Sequence, residues 1–156
     1  MFLIALTGLP NRRAGEERLR QAIAIGSRFS ALLLDLNGFK QINDQWGHGC
    51  GDQVLEVVGK RLGNVAESAL LACRWGGDEF LVLSDGDLGR ARELRSVIQE
   101  AITGQYTIVA IGRTFEVNVG VCIGVAEHQS GEKDREFLSR ADADLYAQKH
   151  HLTMGW

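Results

Sequence analysis

The order of predicted elements describes an α+β fold, a ferredoxin-like central sheet of about five strands flanked by helices. Three observations lead there. Phe29 to Leu36 is an almost continuous apolar run, which reads as a central strand buried on both faces. Two apolar pairs joined by short glycine-bearing turns, at Gly76-Gly77 and at Gly112-Arg113, read as hairpins. Segments of helical spacing separate these units without alternating strictly with single strands. The resulting order, α β α α β β α β β α, is not that of a doubly wound parallel sheet.

Each element has its own warrant. Asn11 is placed to cap a helix running to about Ile25, with Leu19, Ala22 and Ile23 on one face. The strand 29–36 follows, and Asp35 is the anomaly near its end. Phe39 to Gln45 forms a short helix, then Gly47-His48-Gly49-Cys50-Gly51 reads as a glycine-rich turn. Val54, Leu55, Val58 and Leu62 mark a second helix from about Asp52 to Val65. The run 69–73 pairs with 80–83, and Gly-Gly between them offers positive φ without a Cβ clash. Leu88 to Thr103 is helical, with Leu94, Val97, Ile98 and Ala101 inward. The stretches 106–111 and 115–126 form the second hairpin, and a last helix from about Lys133 to His150 buries Phe137, Leu138, Ala141 and Leu145.

The chain of 156 residues is 45% hydrophobic, enough for one domain with a proper core. A net charge of −3 argues against a nucleic acid polymer or an anionic membrane as main partner, since both reward a basic face. Cys50, Cys73 and Cys122 form no CxxC pair and no zinc spacing, so they read as small buried fillers of a reduced, cytoplasmic protein. The apolar opening Met1 to Leu6 is too short for a signal-peptide core or a membrane span.

The chemistry concentrates in Arg74-Trp75-Gly76-Gly77-Asp78-Glu79-Phe80. A Gly-Gly turn followed by acids is, alone, ordinarily a solvated hairpin end. Asp35 changes the reading, because a buried aspartate in an apolar strand is costly unless paired. Pairing with a lysine or arginine is one explanation, and a divalent metal shared with Asp78 and Glu79 is the other. If strand 29–36 lies beside the hairpin, Asp35 and Asp78 converge at one sheet edge, and Mg²⁺ favours one or two carboxylates plus substrate phosphates. Next to them, Asn37-Gly38-Phe39-Lys40 opens a helix whose N–H groups and lysine suit a triphosphate.

Taken together, Leu6-Thr7-Gly8-Leu9-Pro10-Asn11-Arg12, Asp35-Leu36-Asn37-Gly38-Phe39-Lys40-Gln41-Ile42-Asn43-Asp44, Gly47-His48-Gly49-Cys50-Gly51-Asp52 and Gly76-Gly77-Asp78-Glu79-Phe80 resemble the GGDEF domain of diguanylate cyclases. Ala141 to Lys149 is similar to that family's closing helix. The resemblance covers nearly the whole chain. It implies a nucleotidyl-cyclase-like palm that condenses two GTP molecules into cyclic di-GMP and releases two pyrophosphates. It further implies a single domain over 1–156, the C-terminal catalytic module of a larger signalling protein whose sensor domain is absent from this chain, working as a homodimer. By the same resemblance Asp35, Asp78 and the carbonyl of Leu36 hold Mg²⁺ or Mn²⁺, and Glu79 either ligates a metal or accepts the 3′-hydroxyl proton. Gly38, Phe39, Lys40 and Lys149 hold phosphates, and Asn43 with Asp52 reads guanine. A carboxylate accepts from both N1–H and the exocyclic amine of guanine, whereas adenine presents a lone pair at N1. Asp52 as a plain helix cap, and Asn43 as a plain helix-end residue, are the bland alternatives.

The pattern frays in places. Glu67 and Leu70 stand where many members carry the RxxD product-inhibition site, so feedback through it is expected to be absent. Leu152, Thr153 and Met154 replace a frequent Gly-Arg-Asn, Ile4 replaces a frequent aspartate, and Asn37 replaces another. These departures keep a catalytically weak or inactive GTP-binding regulatory module as the alternative to a cyclase. A related palm enzyme using ATP is disfavoured by Asp52.

Overall fold

A computed structural model of the chain describes residues 6–153, with side-chain surroundings described for 6–151. The elements follow the expected order: α1 (Arg12–Ile25), β1 (Phe29–Asn37), α2 (Phe39–Trp46), α3 (His48–Val65), β2 (Leu71–Arg74), β3 (Glu79–Asp85), α4 (Leu88–Ile102), β4 (Gly104–Ala110), β5 (Arg113–Glu127) and α5 (Asp134–Thr153). One five-stranded sheet runs β2-β3-β1-β5-β4. Every neighbouring pair is antiparallel. Ile4 and Met154 lie outside the described residues.

β1 is the centre of the sheet because it has no polar side to offer. Its residues from Phe29 through Leu36 are all buried. The two-residue period divides them between two cores. Leu32, Leu34 and Leu36 pack with Val54, Val58 and Leu62 of α3 and Ile98 of α4. Phe29, Ala31 and Leu33 pack with Leu19 of α1 and Phe137, Ala141 and Leu145 of α5. Asp35 falls on the second of these rows, so the alternation aims it toward α5. All three cysteines are buried and free, as fillers should be.

Several local expectations are corrected. α3 begins at His48, so the turn shrinks to Gly47, where φ is 92°. Gly49 and Gly51 keep helical backbone. The Gly76-Gly77 connection is longer than two residues, and neither glycine has positive φ. Instead the N–H groups of Trp75 and Gly76 both donate to the Glu79 carbonyl, at 2.8 and 3.1 Å. β2 accordingly starts at Leu71 and ends at Arg74. In α4 the buried residues are Ala91, Ile98 and Ile102, while Val97 is 49% exposed because it lies a quarter-turn off that row. The second hairpin closes on Ile111-Gly112, with φ of 50° and 71°, because Ala110 pairs with Arg113. That is the backbone of a primed two-residue turn.

The last hairpin also overshoots the rest of the sheet. β5 meets β1 only from Gly120 onward, opposite Asn37, while Arg113 to Val119 pair with β4 alone. The overshoot is roughly 20 Å of strand beyond the carboxyl end of β1.

Candidate active site

The antiparallel register of β1 with β3 builds the acidic edge. Asp35 stands directly opposite Glu79. One step further, the Leu36 N–H donates to the Asp78 carbonyl at 3.2 Å. Asp35, Leu36, Asp78 and Glu79 are thereby brought to one end of two adjacent strands. The turn carrying Asp78 is braced by Arg74, whose guanidinium donates to the Gly76 carbonyl at 3.1 Å and to the Gly77 carbonyl at 2.8 and 3.2 Å. Arg74 thus has a structural task that its position in the chain did not reveal.

From the face toward which Asp35 points, α5 delivers Lys149, whose ammonium pairs with Asp35. Two contacts set the height of α5 over the sheet. Asp144 accepts from the Val125 N–H at 2.8 Å. Gly124 lies against the helix backbone so closely that a Cβ there would stand 2.3 Å from both the Ala141 carbonyl oxygen and the Leu145 nitrogen.

The charges do not balance. Burial, then the field of Asp35, raises the Asp78 carboxyl above its ordinary range. Burial, then Asp35, Asp78 and Asp142, does the same to Glu79. The hydrogen bond to Asp35, reinforced by the charges of Asp35, Asp78 and Glu79, raises Lys149. Several carboxylates therefore share one ammonium. Asp142, exposed on α5, belongs to this field, a part that the closing-helix motif containing it does not assign.

The donor set fits a divalent cation in its chemistry. Asp35 Oδ1 is buried without a hydrogen-bond partner, and its neighbours are carboxylates driven toward protonation by burial and then by one another. Among the described residues, however, no group of three metal-ligating side chains is already gathered around one point. The lysine explanation for Asp35 is thus met at one oxygen, which pairs with Lys149, while the other oxygen is left without a partner.

The residues expected from the motifs to meet a nucleotide lie on α2 and α3. Gly38 caps α2 with φ of 76°, Phe39 packs partly into the core, and Lys40 is exposed. The Asn43 carbonyl accepts from the Gly47 N–H at 2.8 Å at the end of α2, while its side-chain Oδ1 is buried without a partner. Asp52 is exposed and sits a full turn inside α3, not at its start, which removes the simple capping role. Gly51 connects the pair, because a Cβ on it would come within 1.9 Å of Asn43 Oδ1. Gly51→Ala should therefore displace the Asn43 amide and weaken GTP binding about tenfold, measured by calorimetry, with the fold retained.

Other features lie apart from this edge. Asn37 accepts from the Cys122 thiol at 3.3 Å and is held there. His48 begins α3, and His48 and Asp44 are exposed. A groove of about 820 Å³ opens at the far end of β1, lined in part by Arg28, Glu127, His128 and Lys133. Its charges are largely matched internally, as in Arg28 with Glu127 at 3.5 Å, and it touches none of the residues above.

Antiparallel strands with carboxylates gathered at one end, and helices on both faces, define a palm of the nucleotide-cyclase class. The chain belongs to the GGDEF diguanylate cyclase family, whose model, described as "Diguanylate cyclase, GGDEF domain", matches residues 5–154. It is 39% identical to the response regulator PleD of Caulobacter vibrioides over 150 residues, 92% of this chain and 33% of that protein. It is 35% identical to the diguanylate cyclase DgcP of Escherichia coli over 153 residues, 94% of this chain and 44% of that one. The chain thus spans less than half the length of these curated relatives. The crystal structure of the GGDEF domain of DgcB from Caulobacter crescentus, in complex with c-di-GMP, superposes with a TM-score of 0.83 at 30% identity, covering 94% of this chain and 89% of that one. Among the described residues, no helix is long and apolar enough to cross a membrane.

Proposed function

We propose that this chain is a diguanylate cyclase that joins two GTP molecules into cyclic di-GMP in the cytoplasm, with two domains facing each other. The observation that carries this is the register setting Asp35 opposite Glu79, with Asp78 one step away and a buried carboxylate oxygen left unpartnered. Asp35, Asp78, Glu79 and the Leu36 carbonyl are the residues to hold Mg²⁺ or Mn²⁺. Such an ion, when bound, lowers the pKa of the attacking 3′-hydroxyl and offsets charge on the leaving pyrophosphate.

The remaining work belongs to the protein. The Gly38-Phe39 backbone at the start of α2 and Lys40 take the terminal phosphates, and Lys149 supplies positive charge from above. Asn43 Oδ1 accepts from the guanine amine, and Asp52 accepts from N1–H and the same amine. The 3′-oxygen of one nucleotide attacks the α-phosphorus of the other as the bond to pyrophosphate breaks, and the hydroxyl proton passes to Glu79 or water. A second such step closes the ring. One domain presents one nucleotide, so the dimer, even if transient, is part of the mechanism.

The test is incubation of the concentrated protein with GTP and Mg²⁺, followed by chromatography of the nucleotides. Cyclic di-GMP formed in proportion to pyrophosphate is the expected result. GTP binding without product, even in an enforced dimer, would establish the regulatory module instead, and equal binding of ATP would remove the guanine-reading role from Asp52. Because Glu67 is exposed and Leu70 is partly buried against the core, turnover should be insensitive to added cyclic di-GMP at that position. Progress curves with and without added product check this.

A further inference from the structure

The start of α3 is weakly fixed by its own sequence. Its capping residue is Gly47, which offers no side-chain hydrogen bond, and Gly49 and Gly51 follow in the first turn. Glycines there make a helix end prone to fraying, since each loses more backbone freedom than alanine on ordering. Asp52 directly follows this first turn, and Asn43 lies just across Gly47 on α2. A base-reading pair on so loose a corner needs an external anchor.

The overshooting β4–β5 hairpin supplies one on each side of Gly47. The Gln53 side-chain amide donates to the Val109 carbonyl at 2.6 Å, and its oxygen accepts from the Val109 N–H at 2.9 Å. This amide pairs with an edge strand as another strand would, using both of the groups that Val109 turns away from β5. On the other side, the Trp46 ring stacks on Phe115 with centroids 4.2 Å apart. Phe115 pairs with Ile108, the neighbour of Val109, so both anchors land within one step of the same ladder.

We infer that Gln53 is a positioning residue for base selection, tying the Asp52 turn to the β4 backbone so that Asp52 and Asn43 meet guanine together. The inference rests on the guanine-reading roles proposed above for those two residues. Gln53 itself touches no substrate. Its effect falls on nucleotide affinity and on discrimination between bases, with the chemical step left to the acidic edge.

The test uses two variants that break the same tie from opposite ends. Gln53→Ala removes the amide. Val109→Pro removes the strand N–H at an edge position where proline is tolerated, leaving Gln53 in place. For each, KM and kcat, or Kd by calorimetry where turnover is slow, are measured with GTP and with inosine triphosphate, which lacks the exocyclic amine. Both variants should raise KM for GTP about tenfold with kcat nearly unchanged, and should shrink the preference for GTP over inosine triphosphate. A purely structural role would lower the active fraction, reducing kcat while leaving KM and the base preference intact, and that result overturns the inference. If Asp52→Ala loses the preference while both tie-breaking variants keep it, only the role of Gln53 fails. If the unaltered protein shows no preference, the guanine reading fails and the inference falls with it.

Discussion

Asp78→Ala is expected to abolish cyclic di-GMP synthesis, by about a thousandfold or more, while leaving the domain folded. The loss follows from removing a carboxylate where cation and phosphate charge must be balanced, an effect worth several kcal/mol in the transition state. The fold should survive because what ties Asp78 to β1 is its carbonyl, which accepts from the Leu36 N–H and is kept by alanine. The substitution also relieves repulsion. Burial and Asp35 hold the Asp78 pKa above its ordinary 3.8, and Asp78 is among the charges holding Glu79 above 4.5. A carboxyl with a raised pKa binds its proton more tightly in the folded state, so the metal-free domain gains stability as pH falls through these raised values toward the ordinary ones. In Asp78→Ala that gain should be smaller, because one contributor is gone and the other is perturbed less. Thermal unfolding across pH without metal, beside nucleotide chromatography, reads both effects. Retained synthesis would take Asp78 out of the metal-holding set, and an unchanged pH profile would deny the shared charge.

What was legible in the chain, and what was not, divides by range. Asp35 stands out because a single acid in an apolar run breaks a short-range pattern, whereas its convergence with Asp78 and Glu79 depended on the hairpin lying beside β1, as it does. The element order was readable for the same reason. The glycines misled. At Gly47-His48-Gly49-Cys50-Gly51 all three looked like turn formers, yet only Gly47 has positive φ. Gly51 is there for space, because Asn43 fills the place of its missing Cβ. Gly76 and Gly77 repeat the lesson with neither at positive φ. A sequence displays a glycine's freedom and its smallness identically, and only tertiary neighbours separate them. Bonds from a side chain to a distant backbone are equally silent in a sequence, as those of Asp144 to Val125 and of Gln53 to Val109 are.

Gly124→Ala is expected to be a large stability change for a single added methyl group. A Cβ on Gly124 would stand 2.3 Å from the Ala141 carbonyl oxygen and the Leu145 nitrogen, and 2.7 Å from the Leu145 Cα. These are backbone atoms of α5, so no rotamer change relieves the clash and the helix must lift. Lifting it opens the contacts of Phe137, Ala141 and Leu145 with β1 and lengthens the bond from the Val125 N–H to Asp144. Overpacking a core costs about 1–3 kcal/mol where side chains can adjust. Contact with main chain puts this case at about 3 kcal/mol or above, a fall in Tm of roughly 10 °C for a domain of this size. Function should suffer beyond stability, since Lys149 reaches Asp35 only from the present height of α5. GTP turnover measured well below the variant's own Tm should therefore remain depressed, with the defect carried by KM. A variant with normal Tm and normal KM would mean that α5 rests on the sheet without depending on this contact, and the placement of Lys149 would need another cause.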